Sequence, residues 1–357
     1  MNTTDGMGQT QVVVVGGGPI GLELAAALQG VDVDCVVLEA QQIGHTISTW
    51  PRHTHFYSTA ERIAIAGVPI PYADHAHITG EQYLAYLRAV VEQFDLRINS
   101  FERAIAIEKA SDGFDVTAQT RTGQRHYLAD KVVLATGDMA FVNRLGIPGE
   151  DLPHVMHRLD DPHITFRQRL LVVGGGNSAL EFSARCWRAG AEVALSYRRS
   201  QFDPLYTKPA LMEDFRTLTR EGKMEFFPRT VPIEIEPQYV TLVPTRDGEP
   251  ADGAPSRHRA DFVLLCTGYR PDLTLFEQVG VTLETFSRVP SFDSETMETN
   301  VRGLYVAGTA ANGDRARHRM FIETTHNHVA SIVKHISGRE PGRVNKLVPE
   351  GPEDFSI

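Results

Sequence analysis

The chain has 357 residues, of which 42% are hydrophobic, and carries a formal net charge of −10 at pH 7. This length indicates two or three compact units, and the acidic charge argues against a nucleic-acid partner, since proteins that bind polyanions usually carry a basic surface. The first ten residues lack the basic and apolar regions of a secretion signal, and no apolar run approaches the ~18 residues of a membrane span. We therefore expect a cytoplasmic protein without a membrane partner.

The first predicted unit is a strand, a glycine turn, a helix and a second strand that ends in an acid. An apolar run leads into GGGPIGLE, residues 16–23, and the second strand ends at Glu39. Gly16 permits a tight turn, Gly18 lets a pyrophosphate approach the backbone, and Gly21 lets helix and sheet pack closely. The position of Glu39 suits an acid that binds both ribose hydroxyls. This pattern predicts a dinucleotide-binding fold.

A loop-rich segment, residues 44–72, follows the first unit. Trp50 and Pro51 lie in it, and we interpret them as packing against the redox-active ring of the cofactor or as covering the sheet. Apolar periodicity then predicts an amphipathic helix over 81–94. Alternating patterns then predict three short strands. A longer apolar run predicts a buried strand that ends in Ala-Thr-Gly, and the composition of the segment after it predicts a linker. These segments are Ala104–Ile107, Phe114–Ala118, His126–Ala129, Lys131–Gly137 and Asp138–Thr165.

The opening motif recurs 158 residues later as GGGNSALE, residues 174–181, with Ala179 in place of the last glycine. This repeat indicates a second nucleotide-binding fold. The counterpart of Glu39 is Tyr197, and Arg198 and Arg199 follow it. Guanidinium groups pair with a ribose 2′-phosphate, which an acid would repel. The second nucleotide is therefore predicted to be NADPH, the alternative being that the two arginines are merely solvated.

The rest of the chain predicts a β-meander, two further buried strands and a final helix. These segments are Met224–Phe227, Pro232–Glu236, Val240–Pro244, Phe262–Cys266, Leu304–Gly308 and Phe321–Ile336. We interpret the acidic, Pro/Gly-rich tail, residues 338–357, as disordered or as packed on a second subunit. Together these elements predict an α/β protein with two Rossmann-like dinucleotide-binding domains.

Cysteine and histidine provide no complete metal site. Cys35, Cys186 and Cys266 lie far apart in apolar patterns, which indicates buried, inert thiols. Three His-x-His pairs occur without an accompanying set of cysteines or carboxylates, so we expect no bound metal. The pairs are His53/His55, His75/His77 and His326/His328.

These motifs resemble the flavoproteins with two dinucleotide-binding domains, a group that contains thioredoxin reductases and flavin monooxygenases. The sequences that carry the resemblance are GGGPIGLE, ATG, GGGNSALE with YRR, TGYRP and VAGTAANG. Finer matches resemble the YpdA branch, the bacillithiol disulfide reductases. They are STWPRHTHFYST, PGEDLPHVMH, LYTKPALMEDF and MFIETTHNH. The similarity extends over residues 10–337.

The resemblance implies an FAD domain split into residues 1–160 and 286–357, and an inserted NADPH domain over 161–285. It implies FAD contacts at Gly16, Gly18, Pro19, Gly21, Glu39, Trp50, Ala104, Thr136, Gly137, Gly308 and Ile322. It implies NADPH contacts at Gly174, Gly176, Asn177, Ser178, Arg198, Arg199 and Lys208. Hydride would pass from NADPH to FAD and then to an acceptor. A homodimer or higher homo-oligomer is implied by analogy.

The chain departs from this pattern where disulfide chemistry is expected. The YpdA branch has a cysteine directly after the proline of the first glycine motif, and Ile20 stands there in this sequence. No Cys-x-x-Cys pair is present, and the aspartate of thioredoxin reductases after the last glycine strand is Thr309. A disulfide substrate needs a thiolate to form the mixed disulfide. The resemblance to a disulfide reductase therefore does not establish disulfide reduction.

Three functions stay open. The first is an NADPH-dependent flavoprotein reductase with an unidentified acceptor, a small molecule such as a low-molecular-weight disulfide or a small redox protein. The second is a flavin-dependent monooxygenase, and the third is a non-catalytic flavoprotein sensor. Catalytic residues are not identified. His53 and His326 are candidates for proton delivery to the flavin, against the alternative that they are ordinary polar lining.

Overall fold

The structure is a computed structural model that describes residues 8–71, 77–204, 207–313 and 320–346. The predictions for His75 and for the end of the tail lie outside these residues. Within them the chain forms two compact units. One contains residues 8–49, 53–141 and 269–346, and the other contains residues 50–52 and 142–268.

Eighteen strands and eight α-helices are described, together with short 3-10 helices. The elements in residues 8–142 are β1 Gly8–Val15, α1 Pro19–Gln29, β2 Cys35–Glu39, α2 His45–Ser48, α3 Ala60–Ile63, α4 Gly80–Phe94, β3 Ile98–Ser100, β4 Arg103–Ala110, β5 Gly113–Gln119, β6 Gln124–Leu134 and β7 Phe141–Val142. The elements of the second unit are β8 Val155–Met156, β9 Arg169–Val173, α5 Asn177–Arg188, β10 Glu192–Tyr197, α6 Pro209–Arg220, β11 Glu225–Pro228, β12 Thr230–Ile235, β13 Tyr239–Arg246, β14 Glu249–Pro250, β15 Ser256–Arg259 and β16 Phe262–Leu265. The chain then continues with β17 Tyr269–Arg270, α7 Thr274–Gln278, β18 Leu304–Val306 and α8 His326–Ser337.

The first unit is built on a sheet with the order β3-β2-β1-β6-β5-β4, and β18 also pairs with β6. Strands β1, β2, β3, β6 and β18 run parallel, and β4 and β5 are antiparallel additions. Strand β1 is buried because α1, whose apolar residues are almost continuous, covers it. The crossover from β1 through α1 to β2 leaves the glycine turn at the carboxyl end of β1, next to β6.

The second unit repeats this plan. Its five parallel strands have the order β11-β10-β9-β16-β8, and α5 connects β9 to β10. An antiparallel sheet of β12, β13, β14 and β15 is inserted between β11 and β16, where the first unit inserts β4 and β5. In each unit, then, a glycine turn lies where the strand order reverses, the position at which doubly wound sheets bind ligands. The predicted α/β class is confirmed.

Three sequence predictions need correction. The strands predicted over His126–Ala129 and from Lys131 are one strand, β6, because β1 pairs with it on both sides of Asp130, while its first half also pairs with β5 and its second half with β18. The predicted linker from Asp138 to Thr165 contains β7, β8 and a 3-10 helix over Pro162–Thr165. The final helix begins at His326 and not at Phe321, since a separate 3-10 helix, Ile322–Thr324, precedes it.

The predicted β-meander also needs correction, since its first segment belongs elsewhere. Strand β11 joins the parallel sheet through β10, and only β12 onwards forms the antiparallel sheet. On one face of the parallel sheet, α5 and α6 bury Leu180, Phe215 and Leu218 together with Leu195. On the other face, β13 of the antiparallel sheet contributes to a second core. Among the residues that the structure describes, no helix combines the length and the apolar character needed to cross a bilayer.

Candidate nucleotide-binding sites

The turn after β1 depends on a close approach between two backbone segments. Gly16 has φ +115°, and a Cβ at this position would collide with the carbonyl oxygen of Ala135, just after β6. The Gly16 N–H donates to Leu38 O at 2.9 Å, and the Ala135 N–H donates to Val15 O at 2.8 Å. Only glycine fits here. At Gly18 a Cβ would meet no described atom within 4 Å, so Gly18 borders open space at the N terminus of α1.

Glu39 closes this turn from the end of β2. One carboxylate oxygen accepts the Gly17 N–H at 2.7 Å, and the other accepts the Gln41 N–H at 2.8 Å. An ionised carboxylate has about four acceptor positions, so these bonds leave capacity for further donors such as hydroxyl groups. The Glu102 N–H donates to the Glu39 carbonyl at 2.9 Å, and Ala104 follows two residues later at an irregularity in β4. Glu39 and Ala104 are therefore brought to the same edge of the sheet.

Polar atoms without a partner lie beyond the end of β6. Thr136 Oγ1 and Asn312 Oδ1 are buried and have no hydrogen-bond partner among the described residues. Gly137 and Gly308 both have positive φ, and a Cβ at Gly137 would lie 3.9 Å from Thr309 Oγ1. Unsatisfied buried polar atoms are uncommon in native proteins and call for an explanation such as a missing partner group. These residues therefore fit a polar cofactor at the end of β6.

Asp138 belongs to the same cluster, although the sequence analysis did not identify it. Burial raises the pKa of Asp138 above its ordinary value, while bonds from the Thr309 hydroxyl and the Asn312 amide partly oppose this effect. Carboxyl groups with a perturbed pKa concentrate at functional sites. The sequence feature that could have identified Asp138 is its position directly after the Ala-Thr-Gly at a strand end. It was missed because its partners come from a segment more than 150 residues further along the chain.

Ile20 lies at the start of α1, where a cysteine was expected from the resemblance. Its side chain is buried at 7% exposure, and its Cβ lies 3.3 Å from the position that a Cβ would take at Gly308. Ile20 thus presents an apolar branched side chain to the turn that begins at Gly308. Pro19 occupies the first turn of the same helix. No thiol is available at this position.

The second glycine turn repeats the backbone contacts of the first. Gly174 has φ +149°, and a Cβ there would collide with the carbonyl oxygen of Cys266. The Gly174 N–H donates to Ser196 O at 3.0 Å, and the Cys266 N–H donates to Val173 O at 2.8 Å. Gly176 precedes α5, and a Cβ at Gly176 would meet no described atom within 4 Å.

The ring of Tyr197 takes the structural place that the Glu39 carboxylate has in the first unit. A Cβ at Gly175 would collide with this ring, and Tyr197 follows Gly175 by the same number of residues as Glu39 follows Gly17. The ring also stacks on Phe202 with a centroid distance of 5.2 Å. An aromatic face here offers no acceptor to ribose hydroxyls. The two units therefore differ in the group that lies beside the glycine turn.

Basic and amide side chains surround the second turn. Arg198 and Arg199 are exposed directly after β10, as is Ser178 in the first turn of α5. Asn177 Oδ1 accepts the backbone N–H of Lys208 at 2.8 Å, which joins the start of α6 to the start of α5. The structure thus joins Asn177 to Lys208 and places Arg198 and Arg199 directly after the strand that ends beside the turn. It also places the ring of Tyr197 against the turn, a role that the sequence did not predict.

The three cysteines are poor nucleophiles. Burial raises the pKa of the Cys35 thiol and of the Cys266 thiol to about 12 and also raises the pKa of Cys186. Each is a free thiol. Because the thiolate is the reactive form, none of these side chains is prepared for disulfide exchange.

The two candidate histidines have very different surroundings. His53 is exposed with φ +60°, and its backbone N–H donates to Glu81 Oε1 at 3.0 Å. His326 is buried at 1% exposure, and its ring nitrogens lie 2.6 Å from Glu23 Oε2 and 3.0 Å from Arg62 O. Both partners of His326 lie within the first unit. This favours the interpretation of His326 as polar lining of the core over proton delivery.

Glu23 is a second residue that the sequence analysis missed. It is fully buried on α1, and its other oxygen accepts the Ala66 N–H at 3.0 Å and the Asn345 N–H at 2.7 Å. Burial alone would lower the pKa of His326, but Glu23 and the Arg62 carbonyl outweigh it, so that the pKa is raised. A charged pair therefore connects α1, α8 and the segment that ends the described chain.

Two further predicted residues, Trp50 and Ile322, belong to different units. Trp50 is half-buried and belongs to residues 50–52 of the second unit, whereas Ile322 is half-buried in the 3-10 helix of the first. Across the described ranges, no group of three or more His, Cys, Asp or Glu side chains is arranged to hold a metal ion.

Comparison with a family model identifies the protein family to which this chain belongs. The model of the pyridine nucleotide-disulphide oxidoreductases matches residues 13–308. The chain belongs to this family. A pyridine nucleotide-disulphide oxidoreductase is an oxidoreductase enzyme, as predicted, and members and relatives of this family use FAD and NADPH. The positive-φ turns, the open space at Gly18 and Gly176 and the unpartnered polar atoms after β6 fit such cofactors.

Individual relatives agree with this family. The chain is 32% identical over 334 residues to bacilliredoxin reductase Bdr of Bacillus subtilis (strain 168), which covers 93% of this chain and 99% of the relative. It is 27% identical to a ferredoxin–NADP reductase of Ignicoccus hospitalis, over 83% of this chain and 88% of the relative. The solved structure of bacillithiol disulfide reductase Bdr (YpdA) from Bacillus cereus superposes with a TM-score of 0.86 at 32% identity, covering 93% of this chain and 100% of that one. The resemblance to the YpdA branch is confirmed.

The Glu23–His326 pair should make stability depend on pH. Because the folded-state pKa of His326 is raised, its contribution is complete below the ordinary histidine pKa and is lost as pH rises through the folded-state value. We expect His326→Gln to lower the free energy of unfolding by about 3 kcal/mol at pH 6 and by less at pH 9. Urea unfolding of flavin-saturated protein at a series of pH values measures this.

His328→Gln is the matched control for this prediction. His328 lies on the same helix and is also buried, but burial lowers its pKa to about 4, so its ring is neutral in the folded protein at pH 6. The change in the free energy of unfolding caused by His328→Gln should not decrease between pH 6 and pH 9. A His326→Gln effect that is constant with pH, or that grows as pH rises, contradicts a charged pair.

Proposed function

We propose that this protein is an NADPH-dependent FAD reductase in which the split first domain binds FAD and the inserted second domain binds NADPH. The observation that carries the proposal is that two equivalent glycine turns end in opposite groups, the Glu39 carboxylate in one and Tyr197 followed by two arginines in the other. When bound, FAD supplies a ring that accepts hydride from NADPH and passes electrons to the acceptor. The cytoplasmic location and the homo-oligomeric state are part of the same proposal.

In the first domain, backbone groups at a helix N terminus would bind the pyrophosphate and Glu39 would bind the ribose hydroxyls. Thr136 Oγ1 and Asn312 Oδ1 would obtain the partners that they lack among the described residues. The proposed FAD contacts are Gly16, Gly18, Pro19, Gly21, Glu39, Trp50, Ala104, Thr136, Gly137, Gly308 and Ile322.

In the second domain, charge selects the nucleotide. Arg198 and Arg199 are exposed beside the turn, and an arginine pairs bidentately with a phosphate dianion. The N termini of α5 and α6 are joined by the bond between Asn177 and Lys208, which brings a third cationic residue towards the nucleotide. The proposed NADPH contacts are Gly174, Gly176, Asn177, Ser178, Arg198, Arg199 and Lys208.

The acceptor is proposed to be reduced without a mixed disulfide. The names of the relatives give bacilliredoxin, bacillithiol disulfide and ferredoxin as their substrates, and a disulfide substrate needs a thiolate on the enzyme to form a mixed disulfide. Ile20 supplies no thiol, and the pKa values of the three cysteines are raised by burial. These facts favour an acceptor that takes electrons directly, such as a small redox protein or an electrophilic small molecule.

Gly18→Ala and Gly176→Ala test the assignment of the two sites, and each serves as the control for the other. Both glycines have φ values open to alanine, −77° and −94°, and the added methyl group would meet no described protein atom within 4 Å. We therefore expect an intact fold but a phosphate that can no longer approach the backbone. Gly18→Ala should weaken FAD binding about tenfold or more, and Gly176→Ala should do the same for NADPH.

The measurements are flavin content after dialysis, and NADP⁺ binding by calorimetry. Loss of flavin from Gly176→Ala with retention by Gly18→Ala would reverse the assignment. Circular dichroism of the flavin-free variants checks that the fold is unchanged.

Arg198→Ala tests the selection of NADPH. Removing a charged pair with the 2′-phosphate should raise the Michaelis constant for NADPH by about 10- to 100-fold, because hydrogen bonds to charged groups contribute about 1.5–3 kcal/mol. The constant for NADH should change little. Steady-state kinetics with both nucleotides measure this, with Arg220→Ala, an exposed arginine on α6, as the control for loss of charge. Equal effects on both nucleotides would show that the 2′-phosphate site is misplaced.

Ile20→Cys tests the acceptor class. Protein reduced anaerobically with NADPH is mixed in a stopped-flow instrument with a small disulfide, a ferredoxin, a quinone or oxygen, and flavin reoxidation is followed. We expect the disulfide to reoxidise the flavin of the natural protein slowly, and to reoxidise the flavin of Ile20→Cys at a rate at least about tenfold higher. Ile20→Ser, which has a similar size but no thiol, is the control. Rapid disulfide turnover by the natural protein would refute the proposed direct mechanism.

A further inference from the structure

The arginine segment of the second unit is fixed by the antiparallel sheet inserted after β11. Thr245 Oγ1, on β13, donates to the carbonyl of Arg198 at 2.6 Å, and the Arg229 N–H donates to the carbonyl of Arg199 at 3.2 Å. The Thr245 N–H in turn donates to Arg229 O at 2.8 Å, and Thr245 is buried at 8% exposure. Two successive carbonyls after Tyr197 are therefore held by the same small network.

The turn between β13 and β14 supports the Arg198 side chain. Thr245 and Arg246 pair with Pro250 and Glu249, so the turn consists of Asp247 and Gly248. Their φ values are +54° and +88°, and an Asp-Gly turn with two positive φ values is the usual tight hairpin of this kind. Gly248 is buried. A Cβ at Gly248 would lie 3.6 Å from Arg198 Cδ and 3.8 Å from its Cγ.

The hairpin thus contacts Arg198 at two points. Its strand binds the backbone carbonyl, and its turn faces the side chain from Cγ to Nε, while Arg198 as a whole is exposed. A free arginine side chain loses rotamer entropy when it binds a phosphate. A side chain that is already supported loses less, and the binding of its ligand is stronger for that reason.

We propose that Thr245 and Gly248 are positioning residues for nucleotide selectivity, which orient Arg198 towards the 2′-phosphate of NADPH. This inference rests on the proposed function, in which Arg198 binds that phosphate. Selectivity then resides in the inserted β13–β14 hairpin as well as in the arginine, and the hairpin acts on the phosphorylated nucleotide alone. The adenine, ribose and pyrophosphate that NADP⁺ shares with NAD⁺ are not its targets.

Thr245→Val in the full-length protein tests the backbone contact, because valine has the same shape and lacks the hydroxyl donor. Dissociation constants for NADP⁺ and NAD⁺ are measured by calorimetry, so that the readout does not depend on turnover. Losing one buried hydrogen bond of about 1 kcal/mol should raise the constant for NADP⁺ about fivefold and leave that for NAD⁺ within about twofold. Thr245→Ser retains the hydroxyl and should restore NADP⁺ binding. Thr241→Val makes the same substitution elsewhere in β13 and should change neither constant.

Gly248→Val tests the side-chain contact from a different segment, with Gly222→Val as its control. Both glycines are in turns of the second unit with positive φ, +88° and +68°, so both substitutions strain the backbone. Only position 248 faces Arg198, since a Cβ at Gly222 would meet no described atom within 4 Å. We expect Gly248→Val to raise the NADP⁺ constant about fivefold or more with little change for NAD⁺, and Gly222→Val to affect neither.

The outcomes separate this inference from the proposed function. If Arg198→Ala abolishes the preference for NADP⁺ while Thr245→Val and Gly248→Val leave it intact, the positioning role is wrong and the 2′-phosphate site stands. If Thr245→Val or Gly248→Val weakens NADP⁺ and NAD⁺ equally, the hairpin is a structural support only and the inference is overturned. If Arg198→Ala itself has no effect, both the site and the inference fail.

Discussion

The close approach of a strand-end glycine to the carbonyl of the neighbouring strand is the contact on which both nucleotide sites depend. Gly16 is pressed against Ala135 O and Gly174 against Cys266 O, and any side chain at either position would collide with that oxygen. In each unit this contact holds the end of the first strand against the neighbouring strand, β6 or β16, and the following helix starts immediately after the turn. The N–H groups of that helix start then face outward, where an anion can reach them. The rest of each site is arranged around this geometry.

The two units share one backbone plan and differ in the residues at the end of the second strand, where we propose that their nucleotide specificity arises. In the first unit the carboxylate of Glu39 binds the N–H of Gly17, which fixes the acid beside the turn. In the second unit the ring of Tyr197 covers Gly175 and brings two arginines after it. Under the proposed function, this change converts a site that favours hydroxyl donors into one that favours an additional phosphate, so that side chains on a shared fold account for the choice of nucleotide.

Much of this arrangement could be predicted because it is encoded locally. Each glycine turn, helix and acid or arginine lies within about 25 residues, so spacing alone brings them together. What could not be predicted depends on pairing between distant segments. The sequence predicts two strands in place of β6 because Asp130 and Lys131 interrupt its apolar pattern, and its pairing with β1 on both sides of these residues makes it one strand. Asp138, Glu23 and the hairpin beside Arg198 were missed for the same reason, since their partners come from remote parts of the chain.

At Ile20 this chain keeps the scaffold of its relatives but lacks the thiol that disulfide chemistry would need there. The residue occupies the helix start at which its relatives of the YpdA branch are expected to carry a thiol, and it packs against the turn at Gly308 as an ordinary apolar residue. The thiols elsewhere do not compensate, since burial raises their pKa values and so suppresses the thiolate that exchange requires. Under the proposed function, a chain that keeps both glycine turns can accept electrons from NADPH without a reactive thiol at this position, and its acceptor takes those electrons directly and not through sulfur chemistry.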